Sequence, residues 1–132
     1  MMKPAYRVED VTTAFRCDPE QEEIISALAE RDYRIFEVEQ PSGALVPYHA
    51  HEEEESIIVL RGTMQFNVEE EIVPVEQGKV ITIRARAVHA AAPVGEAPAK
   101  LLIAFAGEAG PAEETPEDGW EGGEVDEGFG FA

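Results

Sequence analysis

Two hydrophobic periods divide the chain. Between residues 19 and 31 the apolar positions Ile24, Ile25, Leu28 and Ala29 recur at the three-to-four spacing that gathers them on one stripe of a helix. Asp18-Pro19-Glu20 reads as its start: an N-cap acid, a proline at the first helical position and an acidic first turn. This predicts one short amphipathic helix within an N-terminal segment, residues 1–32, packed on the outside of a β-domain. From Tyr33 onward the helical period is lost. Short β-rich runs broken by Gly, Pro and charge clusters predict strands near 33–39, 44–50, 55–60, 63–68, 72–75, 79–84, 87–92 and 99–106. Strands this short, joined by Arg61-Gly62, Glu69 to Glu71 and Glu76-Gln77-Gly78, predict an all-β sandwich or barrel over residues 33–106. Ile57 to Leu60 and Leu101 to Ile103 are apolar on both faces and must be covered twice, by the helix or by a second subunit. A homodimer is the partner this predicts.

Composition narrows the class. At 132 residues the chain is long enough for one domain with a real core and no disulfide support. Cys17 stands alone, and no N-terminal apolar run or cleavage site is visible, so a reducing cytoplasm is expected, with Cys17 a bystander. No stretch reaches the length of a membrane span. With 28 acidic residues against 10 basic ones, the net charge of −18 repels phosphates and argues against nucleic acid as a partner. Lysine is scarce (Lys3, Lys79, Lys100), yet hydrophobic residues make up 44% of the chain. Such a balance suits a folded protein working in high salt, where screening removes self-repulsion; the plainer alternative is an ordinary acidic protein with an acidic tail. Residues 107–132 form an acidic, Gly-rich tail without Lys or Arg but with Trp120, Phe129 and Phe131. Its composition admits a solvated tail or one anchored to the barrel by those aromatics.

The chemistry is concentrated in the histidines. There are three, His49, His51 and His89. Residues two apart on a strand share a face, so His49 and His51 can present both rings to one side. Glu52 to Glu55 is a charge run, and such runs are usually solvated. Glu55 differs because it abuts the apolar strand Ser56 to Leu60, where an ionised carboxylate needs a partner or a cation. Glu52 to Glu54 are expected to form the turn. Three imidazoles and a carboxylate aimed at one point suit a metal ion.

Gly43, His49, His51, Glu55 and Gly62 stand at the spacing Gly, five residues, His-x-His, three residues, Glu, six residues, Gly. This resembles the first motif of the cupin superfamily at every fixed position. Gly78 and His89 fit the second motif in register, whereas Arg84, Arg86 and Pro93 stand where Pro, Gly and Asn are usual. The departures spare the metal ligands and alter the turn before His89. The resemblance covers residues 43 to 106. It implies a double-stranded β-helix, or jelly-roll barrel, holding one divalent transition metal (Fe, Mn, Ni, Co or Zn) on His49, His51, Glu55 and His89. It does not imply one reaction, since cupins include dioxygenases, isomerases, epimerases, decarboxylases and non-catalytic binding proteins.

Four ligands on an octahedral ion leave two positions open, as an oxygenase or Lewis-acid site requires. The imidazoles then bind as neutral ligands. Glu55 adds negative charge and, off the metal, is a candidate catalytic base. Strand parity predicts a lining of Leu45, Pro47, Ala87, Ala91, Ile57 and Val59, with Tyr48 outward. Arg84 or Arg86 is a candidate for holding an anionic substrate, against the plainer reading of solvated turn residues. Tyr33, Arg34, Gln65 and Asn67 lie on strands that can reach the pocket, with no role assigned by pattern alone. The reading is a metal-dependent dioxygenase acting on a small oxygenated organic molecule. A metal- or ligand-sensing cupin without turnover, a cupin isomerase or epimerase, and a dimer merely stapled by metal are the alternatives.

Overall fold

The structure, a computed structural model, describes residues 4–18 and 20–106. The tail from residue 107, and with it the question of where its aromatics lie, falls outside the described residues, as does Pro19. The described chain runs β1 (Tyr6–Asp10), α1 (Val11–Phe15), α2 (Gln21–Glu30), β2 (Arg34–Gln40), β3 (Val46–His49), β4 (Glu55–Arg61), β5 (Thr63–Val68), β6 (Glu71–Glu76), β7 (Lys79–Ile83), β8 (His89–Pro93) and β9 (Ala99–Phe105). The strands form two sheets, ordered β1-β7-β4-β9-β2 and β3-β8-β5-β6, with antiparallel pairing throughout. Faced against each other they make the jelly roll that the strand pattern and the motifs predict.

Alternation on single strands builds the core between the sheets. On β5, Met64, Phe66 and Val68 are fully buried while Gln65 is exposed. They meet Ile57 and Val59 of β4, Ile81 and Ile83 of β7, and Leu101, Ile103 and Phe105 of β9 in one apolar cluster. The two-faced strands use their other side as well. Ile58, Val80, Leu102 and Ala104 point outward from the five-stranded sheet and are covered by Val11, Phe15, Ile24 and Leu28. The second cover is therefore supplied by the helical segment of the same chain.

Three details differ from the sequence reading. The N-terminal segment contributes a sheet strand, β1, on the edge beside β7, and a five-residue helix, α1. Neither is long enough to show a period. The amphipathic helix begins at Gln21, with Glu20 rather than Asp18 at the N-cap and no side-chain capping bond. Its buried stripe is Ile24 and Leu28, with Ile25 and Ala27 partly packed and Ala29 exposed.

Candidate metal centre

The three histidines arrive from two places in the fold. His49 is the last residue of β3 and pairs directly with His89, the first residue of β8. His51 lies just past the end of β3, not on it. A bend through Glu52 and Glu53 then delivers Glu55 to the start of β4. The position of His51 is fixed instead by its backbone: its carbonyl accepts the Arg86 N–H at 2.6 Å, tying the loop to the turn that precedes His89. Ring centroids are separated by 4.7 Å (His49–His51), 4.3 Å (His49–His89) and 5.5 Å (His51–His89). One nitrogen from each ring lies within 4.8 Å of the other two, so a single ion is within reach of all three.

Hydrogen bonds orient two of the rings. His49 Nδ1 donates to the Pro47 carbonyl at 2.8 Å and His89 Nδ1 to the Ala87 carbonyl at 3.0 Å. A carbonyl only accepts, so the proton sits on Nδ1 and the Nε2 lone pair is left for a cation. Glu55 completes the group. Only 1% exposed, it places Oε1 3.1 Å from His89 Nε2 and 3.4 Å from His51 Nε2. Yet both its oxygens, like Nε2 of His49 and of His89, are buried without a hydrogen bond of proper geometry. Buried acceptors of this kind are rarely left unmatched, and converging lone pairs with one negative charge are the donor set a divalent cation satisfies. On this test the residues fit a metal.

Burial and mutual charge set the protonation states. Burial is the main force on His49 and pulls its pKa down to about 4, so its ring is neutral near pH 7. For Glu55 burial acts the other way, but the His51 and His89 imidazoles outweigh it and hold the carboxyl well below the usual carboxylate range. His89 is pushed down by burial and, more strongly in sum, up by Glu55 and the Ala87 carbonyl, with a net rise. His89 and Glu55 are closed off from solvent, whereas His49 and His51 keep partly open edges.

The predicted surroundings are placed unevenly. Ala87, Ala91, Ile57 and Val59 face the core as parity requires, and Tyr48 points out. Leu45 and Pro47 do not line the site: both are exposed, and Val46 is buried instead. The register shifts between Val46 and His49, where Pro47 has no N–H to give the ladder, and one extra residue flips the parity upstream. Arg84 and Arg86 are exposed on the turn, and Arg86 pairs with Glu52 at 2.9 Å. Gln65 is exposed, and Asn67 donates to the Tyr48 hydroxyl on the outer face of the four-stranded sheet, away from the histidines. Tyr33 packs with the outer, helical cluster. Two neighbours of the site had no role assigned from sequence. Phe105, directly opposite Glu55 in the sheet, stands edge-on to His51 at 5.3 Å, and Arg34 lies over that same ring. Counting back from Glu55 across strand partners finds both, but only once the pairing is known.

Known proteins agree with this architecture. Among curated proteins none matches the sequence significantly. Among solved structures, a conserved protein of unknown function from Streptococcus pyogenes is similar at 26% identity and a TM-score of 0.52, over 59% of this chain and 68% of that one. The DMSP lyase DddQ of Ruegeria pomeroyi shares 23% identity at a TM-score of 0.55, over 62% and 42% of the two chains. The cupin domain of Cnp3 from Schizosaccharomyces pombe shares 19% identity at a TM-score of 0.54. That match covers 58% of this chain and 57% of the domain, so little more than half of either is shared. The Cupin domain family itself matches residues 36–105, more than half of the sequence, and these residues carry both motifs, all three histidines and most of the two sheets. The chain therefore belongs to the cupin family.

Proposed function

We propose that the chain is a metal-dependent cupin that holds one divalent transition metal, Fe, Mn, Ni, Co or Zn, on His49, His51, His89 and Glu55. Its foremost reading is a mononuclear dioxygenase acting on a small oxygenated organic molecule. The observation that carries the metal assignment is the convergence of three imidazole nitrogens within 4.8 Å beside a buried carboxylate. A bound metal supplies Lewis acidity and, if redox-active, one-electron chemistry toward dioxygen. The chain's own residues do the rest. His49 and His89 are held as Nδ1–H tautomers by backbone carbonyls, the open edges of His49 and His51 admit a ligand, and Phe105 walls the far side with hydrocarbon.

Glu55 separates the alternatives. An isomerase or epimerase needs a base, and Glu55, when off the metal, is the candidate for it; Glu55 kept on the metal as a fixed ligand suits a binding or sensing cupin, the second reading. The structural neighbours include an enzyme and a protein of unknown function, and the likeness carries the fold rather than either reading. The proposed setting is cytoplasmic, with a homodimer as the assembly and no nucleic-acid or membrane partner. No helix among the described residues is long and apolar enough to cross a membrane.

Elemental analysis of protein purified without added metal tests the assignment. We expect about one metal per chain, lost on His51→Ala and Glu55→Ala but retained on Glu54→Ala. Unchanged metal content in His51→Ala would refute it. Oxygen uptake by the iron-loaded protein with a diketone, catechol and thiol panel then separates the two readings: turnover supports the dioxygenase, and tight metal binding without turnover the sensor.

A further inference from the structure

The four side chains of the centre are not held equally. His49 and His89 sit on β3 and β8, and Glu55 opens β4, all within hydrogen-bonded ladders. His51 is carried instead by the connection from residue 50 to residue 54, which belongs to no strand. Backbone outside a ladder opens first, because few contacts must break together. An ion seated against Glu55 and His89, each only 1% exposed, leaves only when some wall of the centre moves. Of the four carriers, this connection is the one not built into a sheet.

Charge holds it down. Glu53 Oε2 accepts from Arg34 Nη2 at 2.8 Å, and Glu52 Oε1 from Arg86 Nη1 at 2.9 Å. Arg34 comes from the start of β2 and Arg86 from the turn before β8, so the connection is clasped at two separate points. Two backbone bonds add to this, the Arg86 N–H to the His51 carbonyl at 2.6 Å and the Ala106 N–H to the Glu54 carbonyl at 3.2 Å. Both ion pairs face water, with side chains 38% and 44% exposed for Arg34 and Glu53 and 72% and 81% for Arg86 and Glu52. Pairs so exposed are weak and are screened by salt. Glu54, in the same acidic run, has no ion pair among the described residues.

We propose that residues 50–54 form a strap that gates metal exchange, latched by the Arg34–Glu53 and Arg86–Glu52 pairs, so that salt, which loosens both latches, speeds release of the ion. The inference rests on the metal reading above and adds how that centre is regulated. Ionic strength then sets how fast metal exchanges, while the ligands set which metal is held. Glu52 and Glu53, turn residues by their sequence, acquire a task that Glu54 lacks.

Co(II), followed by its visible absorption, serves as the metal for the test. Wild type, Arg34→Gln, Arg86→Gln, the double variant of both arginines, Glu52→Gln, Glu53→Gln and Glu54→Gln are each loaded with Co(II). Its loss is then timed after adding excess EDTA, where the rate no longer depends on EDTA concentration, in dilute buffer and in molar KCl. We expect equal Co(II) uptake by all of them. In dilute buffer each single arginine variant, like Glu52→Gln and Glu53→Gln, should lose Co(II) about threefold faster than wild type, the effect of one exposed ion pair. The double variant should lose it about tenfold faster and no longer respond to KCl, whereas wild type should speed up about tenfold in molar KCl. Glu54→Gln should match wild type. Charge acting without a latch demands the opposite sign for arginine: removing a cation tightens the hold on the ion and slows its loss, while removing any of the three carboxylates speeds it. Arginine variants that release Co(II) no faster than wild type therefore overturn the proposal. So does a wild-type rate indifferent to KCl. Wild type that takes up no Co(II) sinks the metal reading and this inference together, whereas uptake with either of those results sinks only the inference.

Discussion

Arg86 occupies the place where the second cupin motif normally has glycine, and it adopts the backbone of that glycine, with φ at 66°. An L side chain in the left-handed region crowds its own carbonyl at a cost of about 1–2 kcal/mol. The turn is retained because the Arg86 N–H anchors His51 and because His89 must enter β8 in register with His49. Restoring the glycine should relieve the strain. The exposed Arg86–Glu52 pair that is lost contributes little. Arg86→Gly is therefore expected to raise stability by about 0.5–1 kcal/mol after the entropy of the added glycine is deducted, read as a higher denaturant midpoint with metal content unchanged. Gly62, the last residue of the first motif, shows the reverse constraint. At φ 86° its Cβ would stand 2.9 Å from the Pro98 carbonyl oxygen, so the residue type there is imposed by the neighbouring loop.

Elements carry the division between covered and open faces. The outer face of the five-stranded sheet is closed by α1 and α2, which removes the need for a second subunit there. The outer face of the four-stranded sheet is different. Tyr48 and Ile72 remain 59% and 67% exposed, linked through Asn67, which bonds the Tyr48 hydroxyl and pairs with Ile72. If the proposed homodimer forms, this is the face that supplies apolar area. Light scattering should then report twice the chain mass for wild type and the single mass for Ile72→Glu; a monomeric wild type removes the dimer. The β5–β6 hairpin on this sheet also turns through Glu69 and Glu70, both at positive φ, in the conformation that Asn-Gly usually supplies.

At the scale of the whole molecule, charge and pH act together. The pKa of His49 is lowered on folding from 6.5 to about 4. Unfolded chains therefore take up a proton there before folded ones do, and the stability it contributes is full above pH 6.5 and lost as pH falls toward 4. His89 has the opposite sign: its raised pKa stabilises below 6.5 and is lost as pH rises through the folded value. Acidification also relieves the repulsion of a chain at −18, so the total curve blends several terms. A difference isolates one of them. In metal-free protein, His49→Gln should lose less stability than wild type between pH 6.5 and 4, measured by urea unfolding; parallel curves would show that His49 is not buried neutral. The net charge makes a second prediction. Melting temperature should climb from dilute buffer to molar KCl, and an unchanged value would remove high salt as the condition for which the acidity is suited.

Much of this was legible in the sequence because it is local. Alternation in Met64, Phe66 and Val68, the two-faced run from Ile57 and the helical stripe of Ile24 and Leu28 each report their own burial, and motif spacing named His49, His51, Glu55 and His89 before any strand was paired. Tertiary structure decided what depends on register and on contacts distant in sequence. A bulge at Pro47 turned Leu45 outward and brought Val46 in. The pairing of β2 and β4 with β9 set Arg34 and Glu55 on either side of Phe105. Periodicity records which face of an element is apolar; only the folded chain determines which elements meet, and so which polar groups share a site.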